Sequence, residues 1–157
     1  MRTLLLFLAI PLIFISCRPD EVYPSTPQME FLEYHRYPAP GDSGMFRISF
    51  MDGEGDIGRP MGDTIKELVL DYRYLDTITG NWLPFSVGPD SNGNPQWIQF
   101  KYLIPQVLED GLEKGVKGEI MVFGPPILHY WPGHTYKYLC WIYDRAGHKS
   151  NVVESQI

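Results

Sequence analysis

Short apolar runs with alternating pattern, each closed by Gly, Pro, Asn or Asp, recur from Met45 to the end of this chain. A period of two is the mark of half-buried strands, and regular spacing of such runs predicts an all-β sandwich or barrel. Over residues 45–51, Phe46, Ile48 and Phe50 fall on one face and Arg47, Ser49 and Met51 on the other. Leu68, Leu70, Tyr72 and Tyr74 form a second such face, opposite Val69, Asp71 and Arg73. Gly80-Asn81 marks a turn before a run over 82–87, and residues 88–95 read as a loop. Residues 96–104 return as a strand, with Ile98, Phe100, Tyr102 and Ile104 on one side. Gly111 and Gly115 limit any helix in 105–115 to about one turn. Strands are predicted over 116–123 and 135–143. The latter is apolar on both faces and therefore central in its sheet. Residues 151–157 close the chain. Its 157 residues argue for one domain. The expectation is a single antiparallel β-sandwich of about seven to eight strands over 29–157.

The first residues belong to a different category. Met1-Arg2-Thr3 is a short positive start, and residues 4–15 are apolar except for Pro11. That run is shorter than the roughly 20 residues a bilayer span needs and fits the apolar region of a secretory signal peptide. It ends Phe14-Ile15-Ser16-Cys17, which resembles a bacterial lipobox: a small residue precedes a cysteine that becomes lipidated. Phe14 and Ile15 depart from the usual residues of that motif. The resemblance implies a signal peptide over 1–16, a lipid anchor on Cys17 and residence at the outer membrane, on the cell surface or the periplasmic face. Several acyl chains satisfy the rule that stable anchoring takes more than one lipid. Asp20-Glu21, behind the cysteine, resembles the export signal of some surface lipoproteins. Residues 17–28, rich in Pro, Ser and Thr, read as a tether.

The formal charge of the chain is −6, and it becomes one unit more negative without Arg2. An acidic domain with no basic run is poorly suited to nucleic acid or to anionic lipid, so the expected membrane contact is the anchor alone. Cys17 and Cys140 are the two cysteines. With Cys17 lipidated no disulfide forms. Cys140, inside an apolar strand pattern, reads as a small buried hydrophobe.

The last third carries a family pattern. Pro132, Gly133 and Tyr136 open a strand, and Asp144, Ala146, Gly147 and Ser150 form the turn behind it. This resembles the end of fibronectin type III and related bacterial Ig-like domains. The resemblance implies a hydroxyl of Tyr136 bonded at a strand corner, a positive φ at Gly147 and backbone N–H groups donated to Asp144. Thr135 is displaced by one position from the family's usual place, and no inter-sheet disulfide is possible. The stretch 50–58 also resembles small bacterial surface lipoproteins with an Asp-Gly-Asp-Gly-Asp-Ile-Gly segment.

Asp52, Glu54 and Asp56 alternate in that stretch, with glycines between. Calcium takes six to eight oxygens, and acidic residues at alternate loop positions converge on one ion. The EF-hand pattern fails, because Ile57 and Asp63 stand where Gly and Glu belong. In a sandwich, however, the strands over 45–51 and 135–143 run toward one end. Asp144 is then expected to join Asp52, Glu54 and Asp56 as a calcium ligand. The competing reading is a solvated turn whose aspartates cap backbone N–H groups.

Aromatic residues make up 14 % of the chain, enough to supply an exposed surface as well as a core. Tyr130 and Trp131 lie in a Pro-Gly loop, and Trp141 and Tyr143 share the strand face opposite Tyr138, Cys140 and Ile142. These four are the candidate binding residues for a protein or, alternatively, for sugar rings. His129 and His134 lack a third zinc ligand. The segment patterns of serine hydrolases, P-loop proteins and HExxH metalloproteases do not occur. The functional expectation is therefore a non-enzymatic, lipid-anchored envelope module that contacts a neighbouring protein. The alternative is a carbohydrate-binding surface module.

Overall fold

The computed structural model describes residues 23–37, 43–107, 114–123 and 135–155. The expected signal peptide, Cys17, most of the expected turn over 105–115, Tyr130 and Trp131 lie outside these residues. The described chain contains no helix and ten strands in antiparallel sheets. The strands are β1 (Gln28–Tyr37), β2 (Ser43–Asp52), β3 (Leu68–Leu75), β4 (Trp82–Pro84) and β5 (Ser86–Pro89). They continue with β6 (Pro95–Trp97), β7 (Gln99–Tyr102), β8 (Val116–Phe123), β9 (Tyr136–Ile142) and β10 (Val153–Glu154). One sheet has the order β1-β2-β8. A second has the order β10-β9-β3-β4, with β7 also paired to β3. β5 and β6 form a separate two-stranded ribbon.

Two of the seven predicted runs are each split at a single junction, which gives nine strands, and β1, which no predicted run covers, is the tenth. β7 pairs with the first half of β3, Leu68 to Asp71, and β4 with the second half, Arg73 to Leu75. Tyr72 lies between the halves. Its carbonyl accepts from Phe85 N (3.1 Å) and its N–H donates to Ile98 O (3.2 Å), while Ile98 N donates to Phe85 O (2.8 Å). The backbone groups at the junction are thus used up among three residues. The chain between Phe85 and Ile98 leaves the sheet there as the β5–β6 ribbon. The alternation of side chains passes through both splits unbroken, which is why each run reads as one strand in the sequence.

The core fills the space between the three- and five-stranded sheets. Phe46, Ile48 and Phe50 of β2 face Leu68, Leu70 and Tyr72 of β3 and Tyr138, Cys140 and Ile142 of β9, all buried. Aromatic rings dominate. Phe46 meets Tyr138 edge-on (centroids 6.2 Å, 81°), and Tyr72 stacks on Tyr136 (5.2 Å, 13°). Offset and edge contacts of this kind add to the burial of large apolar area. β9 lies between β3 and β10, as its two apolar faces imply. Cys140 is fully buried, and burial pushes its thiol well above the ordinary range.

Antiparallel register fixes which ends share a pole. Gln28 pairs with Met51, Asp52 with Val116, and Leu68 with both Tyr102 and Ile142. The start of β1, the end of β2, the start of β3, the start of β8 and the end of β9 therefore lie at one pole. Asn151 ties the sheets together there: its Oδ1 accepts Met29 N (2.7 Å) and its Nδ2 donates to Met29 O (2.9 Å). Leu75, Trp82, Phe123 and Tyr136 mark the opposite pole.

Phe46 is fully buried against Phe31, Tyr34 and Tyr138. Phe46→Ala is expected to destabilise by about 3–5 kcal/mol, and Phe46→Leu by much less. Urea unfolding followed by tyrosine and tryptophan fluorescence measures both.

Candidate metal centre

Asp52 is the last residue of β2, and its side chain is fully buried. Its Oδ2 accepts Asp56 N (3.0 Å), closing a tight loop in which Gly55 adopts φ 71°. That region is open to glycine at little cost, so the glycine between the acids has a conformational reason. Asp56 reaches across to the other sheet. Its Oδ2 accepts Ala146 N (3.0 Å) and its carbonyl accepts Arg145 N (3.2 Å). Asp144, just past β9, is also buried. Its Oδ1 accepts His148 N (2.7 Å), and its Oδ2 lies 2.9 Å from His148 Nδ1. A carboxylate only accepts, so Nδ1 carries the hydrogen. Gly147 has φ 92°, and the turn accepts backbone donors at Asp144, as the Ig-like resemblance implies.

The strand directions bring Asp52, Asp56 and Asp144 together. Each offers a carboxylate oxygen, and the three oxygens lie within 4.8 Å of one another. Two oxygens of these residues, Asp52 Oδ1 and Asp56 Oδ1, are buried without a hydrogen-bond partner. A buried carboxylate oxygen lacking a donor calls for a cation, a proton or a water. Glu54, the fourth residue of the expected set, is exposed and falls in a different group, with Asp144 and His148. Acidic clusters at this pole can therefore hold a metal. The sequence reading missed His148, whose only linear signal is its place four residues after Asp144.

Burial pushes the Asp52 carboxyl up to about 6, and the nearby Asp56 and Asp144 charges add to this against the hydrogen bond from Asp56 N. Behind the cluster lies a second buried acid, Glu67, raised to about 7 by burial in spite of Arg59. Arg59 Nε is 3.0 Å from Glu67 Oε1, an ion pair without hydrogen-bond alignment. Arg59 is itself fixed by the backbone: its N–H donates to Ile104 O and its carbonyl accepts from Gln106 N, both at 2.9 Å. His148 is raised by its hydrogen bond to Asp144 and that residue's charge.

Trp141 and Tyr143 lie half-buried on the outer face of the five-stranded sheet. Lys149 Nζ sits 4.2 Å from the centroid of the Trp141 ring. Comparison with protein-family models, curated proteins and solved structures gives no match.

The raised groups set a pH dependence. A carboxyl whose folded pKa exceeds its unfolded value stabilises fully below the unfolded value, and that contribution is lost as pH rises through the folded one. For Asp52 the loss runs from about 4 to 6, and for Glu67 from about 4.5 to 7. His148 acts in the same direction. Asp63, Asp76 and Asp90 are lowered by hydrogen bonds, so their contribution disappears only in stronger acid. Without divalent cations the melting temperature is expected to be several degrees higher at pH 5 than at pH 7.5. Glu67→Gln and Asp52→Asn are each expected to flatten part of that slope. Calorimetric melting in a chelator measures it.

Proposed function

We propose that this chain is a non-catalytic, lipid-anchored envelope protein whose Ig-like sandwich is braced at one pole by calcium. The division of strands supports the Ig-like part. The first, second and eighth strands share one sheet and the third, ninth and tenth the other, as strands A, B, E and C, F, G do in Ig-like sandwiches. Anchoring rests on the lipobox-like segment ending at Cys17.

The calcium reading is carried by the two partnerless buried oxygens, Asp52 Oδ1 and Asp56 Oδ1, beside Asp144. An all-oxygen group of hard carboxylates suits calcium rather than a softer transition metal. Water fills the positions that three side chains leave open. The ion joins the β2–β3 loop to the turn after β9 and removes the repulsion among the carboxylates. The expected affinity is that of extracellular modules, roughly 10⁻⁴–10⁻³ M.

The partner is a neighbouring envelope protein, and the β5–β6 ribbon is its contact. An isolated two-stranded ribbon is marginal in water. This one presents Val87 and Trp97 with 64 % and 50 % of their surfaces exposed, and tryptophan is enriched among the residues that dominate protein contacts. The carbohydrate reading has less support, because the Trp141 ring already carries Lys149 against it.

Calcium at 10 mM is expected to raise the melting temperature on the order of 5–10 °C at pH 7.5. Asp52→Asn and Asp56→Asn should remove that response. Titration calorimetry without heat, together with an unmoved melting point, would overturn the calcium reading. Trp97→Ala combined with Val87→Ser is expected to reduce capture of the membrane partner about tenfold or more without moving the melting point. Undiminished capture in a quantitative pull-down would place the contact elsewhere.

A further inference from the structure

We infer that the pole holding the carboxylate cluster faces the membrane in the anchored protein, and that it meets anionic headgroups through a ring of lysines. The inference rests on the lipidation of Cys17 proposed above. Its first support is the point at which the chain enters the fold. Tyr23 and Pro24 are seated on this pole: Pro24 O accepts Gly53 N at 2.7 Å. A methyl group at Gly53 would lie 2.4 Å from Tyr23 O, and one at Gly115 would lie 2.3 Å from Tyr23 Cδ2. Both glycines leave room for the entering strap. Residues 18–22 alone separate Tyr23 from Cys17. Even fully extended, that length reaches only about 20 Å. The pole cannot move far from an anchor at Cys17.

The second support is the distribution of exposed charge. Lys66, Lys114, Lys117 and Lys149 are exposed at this pole, whereas Glu54 is the one carboxylate there in the exposed class among the described residues. Asp52, Glu67 and Asp144 are buried, and Asp56 and Asp63 are half-buried. Among the described residues the exposed charge at this pole is therefore mostly cationic, although the chain as a whole is acidic; Glu109, Asp110 and Glu113 lie outside the described residues. Lys117 and Lys149 lie over the Tyr23 and Trp141 rings, as Lys137 at the opposite pole lies over Trp82, but Lys137 is also tied to Glu154 (2.7 Å). A divalent ion on the buried carboxylates adds positive charge to the membrane-facing side. Juxtamembrane lysines of this kind are drawn to anionic lipid within about a Debye length of its surface.

The test uses the full lipidated chain in vesicles containing phosphatidylglycerol and a headgroup-linked acceptor dye. A donor dye is placed at Ala146→Cys, on the cluster pole, or at Ile78→Cys, on the turn beyond β3. β3 alone separates the poles by about 25 Å. Strong energy transfer from position 146 and weak transfer from position 78 is the expected result. Equal or reversed efficiencies in protein that floats with the vesicles overturn the orientation while leaving the anchor intact. Protein that fails to float overturns the anchor, and the orientation with it. Charge reversal at Lys66, Lys114 and Lys149 should narrow the difference on phosphatidylglycerol vesicles and leave it unchanged on phosphatidylcholine. An unchanged difference on both overturns the headgroup contact. Gly115→Ala, which displaces Tyr23, should narrow the difference on both vesicle types, and no narrowing overturns the strap's role.

Discussion

Three carboxylates held within 4.8 Å of one another at the junction of two sheets cannot all be charged and dry without compensation. This crowding follows from strand direction. β2 and β9 run to the same pole, so the residues that follow their last core positions, Asp52 after Phe50 and Asp144 after Ile142, are delivered to one place. The backbone answers part of the demand. N–H groups of Asp56, Ala146 and His148, with the His148 ring, satisfy Asp52 Oδ2, Asp56 Oδ2 and both oxygens of Asp144. Asp52 Oδ1 and Asp56 Oδ1 remain. A water, a proton or a cation can relieve them, and burial raises the Asp52 carboxyl to about 6, which favours the proton as the pH falls.

Glu67 illustrates the other way of keeping a buried acid. It has an arginine for company, and that arginine is held by backbone hydrogen bonds to Ile104 and Gln106. Gly58, at φ 88°, lets the chain pass so close to Pro105 that a methyl group would lie 2.4 Å from the Pro105 carbonyl oxygen. The loop from Asp52 to Glu67 is thus fastened at both ends, by carboxylates to the turn after β9 and by Arg59 to the segment after β7. Breaking a buried pair from one side leaves an uncompensated charge, so this loop tolerates little change.

The alternation of Phe46, Ile48 and Phe50 made β2 legible, and the two-faced apolar run made β9 legible as a central strand. From those two strands and their direction came the meeting of Asp52, Asp56 and Asp144. The β5–β6 ribbon was not legible, because alternation continues through Phe85 and Ile98 and only the three-way backbone bonding at Tyr72 interrupts the pairing. Asp71 was not legible either. Its place opposite Leu70 reads as solvent-facing, yet it is buried by Arg73 and Gln99 on the outer face of the sheet. His148 and the lysine ring were hidden for a common reason. Lys66, Lys114, Lys117 and Lys149 form no run in the sequence and come to one pole only when three strand ends, before β3, at the start of β8 and after β9, reach it.

Adjacent residues in one loop serve two contacts, and this links them. Asp52 belongs to the carboxylate cluster, while Gly53 donates to Pro24 in the entering strap. Both contacts require the same backbone course over residues 52–56, which the Asp52–Asp56 hydrogen bond and the conformation of Gly55 define. Anything that orders this course for one contact lowers the entropy lost in forming the other. Coupling between sites is reciprocal, so an ion that fixes the loop also favours the docked strap, and a docked strap favours the ion by the same factor. Rigidity at this pole is then a shared property of loop, turn and strap, and no single strand supplies it.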